Sequence, residues 1–237
     1  MRPDVTPFHH AGTGTWSYVV ADPATATAAI IDPVLDYDWK SGRTSTASAD
    51  AVAAHCRDHG LQVCWILETH AHADHLSAAQ HLKALLGGEV AIGRGIRSVQ
   101  LTFKRLFGLS DFVPDGHQFD RLLEEDEQLP LGELSIHVLG TPGHTPACLS
   151  YLWRDRVFTG DALLIRACGR SDLPDADAGA LYDSITQRLM VLPGDTLVYP
   201  GHDGHGRTVS TIAEEREHNP CVAGRSRDEF ITQRING

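Results

Sequence analysis

Three histidines and one aspartate lie within six consecutive positions of the chain, and their side chains are of the types that bind transition metals. The motif follows the apolar run at residues 63–67 and reads His70-Ala-His72-Ala-Asp74-His75. Imidazole and carboxylate groups are ligands that suit zinc and iron. A merely polar surface loop has no packing reason to hold three histidines at this spacing, so the motif predicts a metal-binding loop at the end of a strand.

A single loop does not surround a metal ion, so further ligands must come from other parts of the chain. Three candidates also follow apolar runs, in the sequences Gly140-Thr-Pro-Gly-His144, Phe158-Thr-Gly-Asp161 and Pro200-Gly-His202. The glycine beside each of them lets the backbone turn sharply and approach a bound group. Taken alone, each is more typical of a structural histidine or of a Gly-Asp turn. Together with the first loop, they indicate a metal centre assembled at four strand ends.

The bulk composition limits the classes of partner. The 237 residues are 42% hydrophobic, which is enough for one large core or a compact two-layer domain. The formal net charge of −11 repels phosphate backbones and anionic lipid, so neither nucleic acid nor a membrane surface is an expected partner. The five cysteines contain no CxxC pair, and residues 1–5 lack the apolar core of a signal peptide, so we expect a reducing, cytoplasmic location.

Strand-like runs occur in blocks with helices between them, which favours an α/β layered sandwich over a doubly wound parallel sheet. A hairpin is predicted around the turn at residues 22–25. The sequence Ser226-Arg-Asp-Glu229 has the form of a capping box and predicts the start of a last short helix. The other expectations that bear on the site are a polar loop over residues 36–49, a helix over residues 76–86 and a helix over residues 179–192.

The histidine loop, followed in order by His144, Asp161 and His202, resembles the metallo-β-lactamase fold superfamily. The resemblance spans essentially the whole chain and implies a single domain over residues 1–237, an α/β fold built as a four-layer αββα sandwich. A narrower resemblance, to the persulfide dioxygenases (sulfur dioxygenases), is carried by residues 68–75, 140–148, 160–172 and 199–211. Its most specific part is Gly160-Asp161-Ala-Leu-Leu-Ile-Arg166-Ala-Cys168-Gly-Arg170-Ser-Asp172, which hydrolytic relatives such as glyoxalase II are not expected to share.

The narrower resemblance implies a non-haem iron dioxygenase with one Fe(II) per chain. By motif position the metal ligands and catalytic centre are His70, His144 and Asp161, a facial pattern that leaves open positions for substrate and O2. The implied reaction converts glutathione persulfide, O2 and water to glutathione and sulfite, a step of sulfide detoxification. Iron supplies redox chemistry that zinc lacks. A homodimer, and a rhodanese or sulfide-oxidising enzyme, are the candidate protein partners.

The remaining residues of the motif set leave a second mechanism open. His72, Asp74, His75 and His202 would complete a two-metal site in a hydrolase, whereas in the persulfide dioxygenases they are interpreted as groups that orient ligands and move protons. The alternative function is a glyoxalase II-type thioester hydrolase, in which a bridging hydroxide attacks the substrate. The number of metal ions bound per chain, one or two, separates the dioxygenase from the hydrolase. A third hypothesis is a non-catalytic protein that binds sulfide or metal as a sensor. Binding alone would not require the full set of metal ligands that this sequence carries.

Two further residues are candidates for contact with the substrate. Arg170 is suited to hold a substrate carboxylate at two points, and the alternative is a structural salt bridge with Asp172 or Asp175. Tyr182 lies on a predicted helix after the metal loop and either reaches the same pocket or packs in the core.

Three features depart from the family pattern or allow two interpretations. Many relatives carry an aromatic residue at the position of Gly204, and its absence changes the wall of the pocket. The stretch at residues 36–50 is longer than in the shortest members and either shapes the cleft or forms a dimer contact. Cys168 lies near the metal loop and is either an inert buried thiol or a site of oxidation during turnover.

Overall fold

Two six-stranded mixed sheets pack face to face, with helices on both outer faces. The structure, a computed structural model, describes residues 4–71 and 76–236. This architecture confirms the predicted four-layer αββα sandwich. No helix within the described residues is long and apolar enough to cross a membrane.

The first sheet combines an antiparallel half with a parallel half. Its strands are β1 (Asp4–His10), β2 (Thr15–Asp22), β3 (Thr27–Ile31), β6 (Gln62–Leu67), β8 (Glu89–Gly93) and β9 (Arg121–Leu123), in the spatial order β1-β2-β3-β6-β8-β9. Strands β2 and β3 form the antiparallel hairpin predicted around residues 22–25. Strands β3, β6, β8 and β9 are parallel, so the residues that follow β3, β6 and β8 meet at one edge of the sheet.

The second sheet brings three strand ends to the same side of the molecule. Its strands are β10 (Gln128–Leu131), β11 (Leu134–Gly140), β12 (Leu149–Trp153), β13 (Arg156–Gly160), β14 (Leu197–Pro200) and β15 (Ser210–Thr211), hydrogen-bonded in that order. Strand β12 is antiparallel to both β11 and β13, and β13 is parallel to β14. Strands β11, β13 and β14 therefore run in one direction, and the three segments that carry the later candidate ligands leave the sheet at one edge.

A small third sheet corrects two of the expectations. It contains β4 (Val34–Asp38), β5 (Arg43–Ser45) and β7 (Leu76–Ser77). The expectation of a loop over residues 36–49 is wrong, because β4 and β5 form a hairpin whose turn is closed by the Asp38 carboxylate. The expectation of a helix from residue 76 is also wrong at its start. Residues 76–77 pair with β4, and the Ser77 hydroxyl accepts from the Ala79 N–H where the helix begins.

The helices divide between the two outer faces. They are α1 (Ala47–Asp58), α2 (Ala79–Leu86), α3 (Ile96–Leu106), α4 (Ala178–Asp183), α5 (Ile212–His218) and α6 (Arg227–Asn236). Helices α1 and α2 cover the first sheet, and α4, α5 and α6 cover the second. The continuous helix predicted over residues 179–192 is wrong in its second half, since α4 passes into a π-helical segment, Ser184–Leu189. There the hydroxyl of Ser184 donates to the Pro142 carbonyl, which ties the wider turn to the loop before His144.

The amino-terminal end of α6 agrees with its sequence signal. Ser226 N–H donates to a Glu229 carboxylate oxygen at 2.8 Å, and Glu229 N–H donates to the Ser226 hydroxyl at 3.4 Å. This reciprocal pair confirms the predicted capping box.

Strand β2 shows how the layers are specified, because both of its faces are buried. Trp16, Tyr18 and Val20 lie in the core between the two sheets. Val19 and Ala21 point the opposite way, toward α1 and α2. Alternation of side chains along a strand thus allows one apolar segment to contact two layers at once.

Candidate metal centre

Four predicted site residues from the two sheets meet at one edge of the sandwich. His70 follows β6 of the first sheet, and His144, Asp161 and His202 follow β11, β13 and β14 of the second. Asp161 Oδ2 lies 4.0 Å from His70 Nε2 and 3.7 Å from His144 Nε2. One ligand atom from each of His70, His144 and Asp161 lies within 4.8 Å of the others, and the two imidazole rings are 82° apart in orientation.

The donor set of these three residues fits one metal ion. A cation about 2.1 Å from each ligand atom would need these atoms about 3 to 3.5 Å apart. The two nitrogen–oxygen distances here, 3.7 and 4.0 Å, are longer than that, so the ligand atoms would have to move closer to hold an ion. His70 and His144 are buried and Asp161 is nearly so, so bulk water competes weakly for the position between them. Two imidazoles and one carboxylate suit both zinc and non-haem iron. The three residues can therefore hold a metal, and the donor types leave its identity open.

A buried hydrogen-bond chain orients His70. The Asp32 carboxylate accepts from Thr69 twice, from the N–H at 2.7 Å and from the hydroxyl at 2.8 Å. Because the single Thr69 hydroxyl proton goes to Asp32, that hydroxyl accepts from His70 Nδ1–H at 2.9 Å. This tautomer leaves the Nε2 lone pair of His70 directed toward Asp161 and available to a metal.

The main chain orients His144. Its Nδ1 lies 2.8 Å from the Arg170 carbonyl oxygen, which can only accept, so Nδ1 carries the proton and Nε2 faces Asp161. The segment between Asp161 and Arg170 folds back on itself, since Gly169 N–H donates to the Asp161 carbonyl at 2.7 Å. A Cβ atom at Gly169 would lie 2.3 Å from that carbonyl oxygen, so the close return needs glycine.

Asp161 shares its two oxygens between a histidine and the ligand pocket. His202 Nδ1 donates to Asp161 Oδ1 at 2.6 Å, which leaves Oδ2 toward the two buried histidines. Burial alone would raise the pKa of Asp161, but the hydrogen bond and charge of His202 outweigh it and lower that pKa. The carboxylate is therefore held ionised, as a metal ligand must be.

His202 also begins a polar chain that leads away from the centre. Its Nε2 lies 3.0 Å from the Thr15 hydroxyl, which lies 2.6 Å from the Thr13 hydroxyl. The Thr13 hydroxyl in turn lies 2.8 Å from His10 Nδ1. Hydroxyl and imidazole groups in such a series fix the ring of His202 and connect it to the surface strand β1.

The remaining predicted site residues fall into two groups. His72, Asp74 and His75 lie outside the described residues. The exposed Arg170 side chain binds Asp172 in two-point fashion at 2.9 and 2.8 Å, while its carbonyl holds His144. The Tyr182 hydroxyl donates to the Arg225 carbonyl, and its ring packs near Phe230. These contacts match the structural alternatives for both side chains, and their contact with a substrate stays a prediction.

The residues that hold the candidate ligands in place were not predicted from the sequence. Asp32 is buried and comes directly after the apolar strand β3, so the strand-end rule that selected Asp161 applies to it equally. Thr69 and Thr15 carried no comparable signal, because hydroxyls are common beside strand ends and their partners come from distant segments.

Comparisons with known proteins identify the fold and several relatives. Residues 11–202 match the family described as the metallo-beta-lactamase superfamily. The chain is similar to a probable metallo-hydrolase of Burkholderia pseudomallei, with 44% identity over 96% of this chain and 83% of that protein. It is also similar to the mitochondrial persulfide dioxygenase ETHE1 of Homo sapiens, with 36% identity over 92% of this chain and 74% of that protein.

The solved structures agree with the sequence relatives. The crystal structure of ETHE1 from Myxococcus xanthus superposes with a TM-score of 0.82 at 36% identity, covering 98% of this chain and 90% of that chain. The chain spans about half the length of some other curated relatives, for example 53% of a beta-lactamase hydrolase-like protein of Agrobacterium fabrum.

Proposed function

The chain belongs to the metallo-β-lactamase superfamily, and we propose that within it the protein is an iron-dependent persulfide dioxygenase. Its substrates would be glutathione persulfide and O2, and its products sulfite and glutathione. One iron per chain would be held by His70, His144 and Asp161. In this reaction glutathione persulfide, O2 and water give glutathione, sulfite and two protons, so all atoms balance.

The grouping of two imidazoles and one carboxylate is the observation that carries the proposal. All three ligand atoms face one small space, and the other nitrogen of each histidine is already occupied by a protein acceptor. A metal held by these three residues alone would retain capacity to bind a persulfide sulfur and O2. Bound iron would supply the redox chemistry of oxygen transfer, for which zinc is unsuited.

Sequence likeness supports the same substrate class. The ETHE1 proteins of Homo sapiens and Myxococcus xanthus are both 36% identical to this chain over more than nine tenths of its length. The segment at residues 160–172, which carries the persulfide dioxygenase resemblance, is also the segment whose main chain holds His144 through Arg170.

The chain's own residues have defined tasks in this proposal. Thr69 and the Arg170 carbonyl orient the two imidazoles. His202 holds the Asp161 carboxylate through one oxygen and can accept or return a proton through its contact with the Thr15 hydroxyl. The burial of His70 and His144 limits the access of bulk water to the position of the metal.

The direct test is O2 uptake by Fe(II)-loaded protein on addition of glutathione persulfide, with sulfite and iron measured in the same sample. We expect rapid uptake, sulfite formation equal to the O2 consumed, and one iron per chain. Absence of uptake by protein with verified iron content would overturn the proposal.

Substitution of the carboxylate tests the ligand assignment. Asp161→Ala should abolish both iron binding and O2 uptake, because two imidazoles alone bind Fe(II) weakly. His137→Ala, at a half-exposed histidine of β11, is the matched control and should keep both. One equivalent of iron retained by Asp161→Ala would contradict the assignment.

The name of the Burkholderia pseudomallei relative, a probable metallo-hydrolase, favours a two-metal thioester hydrolase as the second candidate. His202→Ala separates the two candidates. In the dioxygenase it should leave one iron bound and slow the reaction, since His202 contacts a ligand rather than the metal. Two metals per chain in the unaltered protein, with one lost in the variant and hydrolysis of a glutathione thioester, would favour the hydrolase.

A further inference from the structure

Two cysteines that the metal centre does not use are neighbours beside it. Cys168 is buried in the segment that follows the metal loop, and Cys221 is half-buried in the turn after α5. Their sulfur atoms contact the same guanidinium nitrogen, Nη2 of Arg234 on α6, with Cys221 Sγ at 3.4 Å. The three groups form a dithiol–arginine cluster.

The surroundings of this cluster make its two thiols unequal. The hydrogen bond from Cys168, together with the positive charge of Arg234, lowers the pKa of Cys221 although burial opposes this. The hydrogen bond to Cys221 and burial raise the pKa of Cys168. Burial raises the pKa of Cys64 to about 11, so Cys64 is a contrasting half-buried thiol without a cationic neighbour in its described contacts. Because Cys221 is the more accessible of the two thiols, we assign it as the nucleophile of the pair and the buried Cys168 as its partner.

A buried asparagine holds the two cysteine-bearing segments together. Asn219 Nδ2 donates to the carbonyls of Leu164 and Ala167, the latter next to Cys168. Its Oδ1 accepts from Cys221 N–H at 3.0 Å. Because both cysteines lie outside regular helices and strands, a small shift of either segment brings the sulfurs together without breaking a ladder.

The cluster opens into a pocket of about 650 Å³ that a small thiol compound can enter. Its walls include Arg166, Arg170 and Arg234 and the carboxylate of Asp172. Arg166 is bound by the buried Glu215 and Arg170 by Asp172, whereas the described contacts of the Arg234 guanidinium are the two thiols and the ring of Phe230. The guanidinium of Arg234, whose described contacts include no carboxylate, suits a thiol compound that carries a carboxylate.

We propose that Cys221 and Cys168 form a thiol-exchange site that reacts with the disulfide of an anionic low-molecular-weight thiol. The Cys221 thiolate attacks one sulfur of that disulfide, forms a mixed disulfide and releases the other half as a thiolate. Cys168 then attacks Cys221 Sγ, gives up its proton and releases the second half as a thiol. The protein is oxidised by two electrons to a Cys168–Cys221 disulfide, and one small disulfide is reduced to two thiols. This inference does not depend on the metal reaction.

The test uses the full chain and glutathione disulfide as the probe at neutral pH, with intact-mass and peptide mass spectrometry. Trypsin cuts after Arg166, Arg170, Arg216 and Arg225, so the two cysteines lie on separate peptides. We expect a mass loss of two hydrogen atoms and a cross-linked pair of these peptides. Cys168→Ser should stop at one glutathione on Cys221, and Cys221→Ser should form neither product.

Matched thiol and charge controls make the outcome decisive. Cys64→Ser should behave as the unaltered chain does. Iodoacetamide should alkylate Cys221 at least about tenfold faster than Cys64 at neutral pH, and Arg234→Gln should reduce that difference while Arg234→Lys keeps most of it. Cystamine, a cationic disulfide, should react several-fold more slowly than glutathione disulfide at equal ionic strength. The proposal is overturned if Cys64 reacts as fast as Cys221, if the unaltered chain accumulates only the mixed disulfide, or if cystamine reacts as fast as glutathione disulfide.

Discussion

At the scale of single residues, hydrogen bonds determine which atom of each candidate ligand faces the shared space between them. Thr69 and the Arg170 carbonyl each occupy the Nδ1 of one histidine, and His202 occupies one oxygen of Asp161. The three atoms that remain, two Nε2 and one Oδ2, are those that converge. The geometry of the centre therefore depends on these partners as much as on the ligands themselves.

Thr69→Val tests this dependence with little change of shape. The variant removes the hydroxyl that accepts from His70 Nδ1 and donates to Asp32. We expect metal affinity to fall about 10- to 100-fold, because the ring loses the bond that sets its tautomer and orientation. The measurement is competition with a calibrated chelator.

Thr69→Ser is the matched control, because it keeps the hydroxyl. It should bind metal within a few-fold of the unaltered chain. Equal affinities for the valine and serine variants would remove the Thr69 hydroxyl from any role in positioning His70.

Only some residues of the site could be predicted from the sequence. The convergence of His70, His144 and Asp161 could be predicted, because a ligand-type residue after an apolar strand is visible in one sequence. Asp32 obeys the same rule and was overlooked. The Arg170 contribution could not be predicted, because the contact uses a main-chain carbonyl and every residue has one.

At the scale of elements, the turn from β8 into α3 supports the loop that carries His144. A Cβ atom at Gly95 would lie 2.1 Å from the Pro146 carbonyl oxygen and 2.9 Å from the Ala147 Cα atom. A Cβ atom at Gly93 would lie 2.3 Å from the Ala147 carbonyl oxygen. The backbone at Gly93 and Gly95 thus contacts the backbone at Pro146 and Ala147, two to three residues after His144. No side chain fits between these two segments.

Gly95→Ala should displace this loop. We expect a loss of about 1 to 3 kcal/mol in the free energy of unfolding, because the new methyl group meets rigid main chain. Metal affinity should fall with it, since Pro146 lies two residues from His144. Urea denaturation and metal titration measure the two effects.

Gly204→Ala is the control for a glycine in open space. Among the described residues, no heavy atom beyond the two chain neighbours lies within 4 Å of a Cβ built at Gly204, so we expect stability and metal affinity close to those of the unaltered chain. An equal response of the two variants would mean that the close approach at Gly95 does not position the loop.

Elements with a local signal were predicted well, and elements defined by distant pairing were not. The capping box of α6 and the hairpin of β2 and β3 are encoded within a few adjacent residues. Residues 76–77 have helical spacing in sequence, yet they pair with β4, a strand that lies far earlier in the chain. The polar residues of β4 and β5 gave no alternating pattern, because this hairpin lies at the surface rather than on a buried face.

At the scale of the whole molecule, the candidate site lies across the two sheets, so the contact between the sheets near this edge matters. His70 belongs to the first sheet and the other ligands to the second. Tyr151 of β12 donates to the Glu68 carbonyl at 2.8 Å, and Tyr18 of β2 donates to the Pro200 carbonyl at 2.6 Å. Burial raises the pKa of both phenols, so both keep the proton that they donate. The two acceptor residues, Glu68 and Pro200, each lie two positions before a site histidine, His70 and His202 respectively.

Tyr151→Phe tests whether this link positions the centre. The ring remains to fill the core, so the loss is that of one buried hydrogen bond, about 1 kcal/mol in the free energy of unfolding. We expect metal affinity to fall as well, because the segment of His70 gains freedom relative to His144 and Asp161. Tyr37→Phe, at a half-exposed phenol of β4, should change neither quantity. If Tyr151→Phe lost stability but kept its metal affinity, the Tyr151 hydrogen bond would not be what positions the ligands. The backbone hydrogen bond from Leu149 N–H to the Thr69 carbonyl would then be the next candidate for the contact that positions His70.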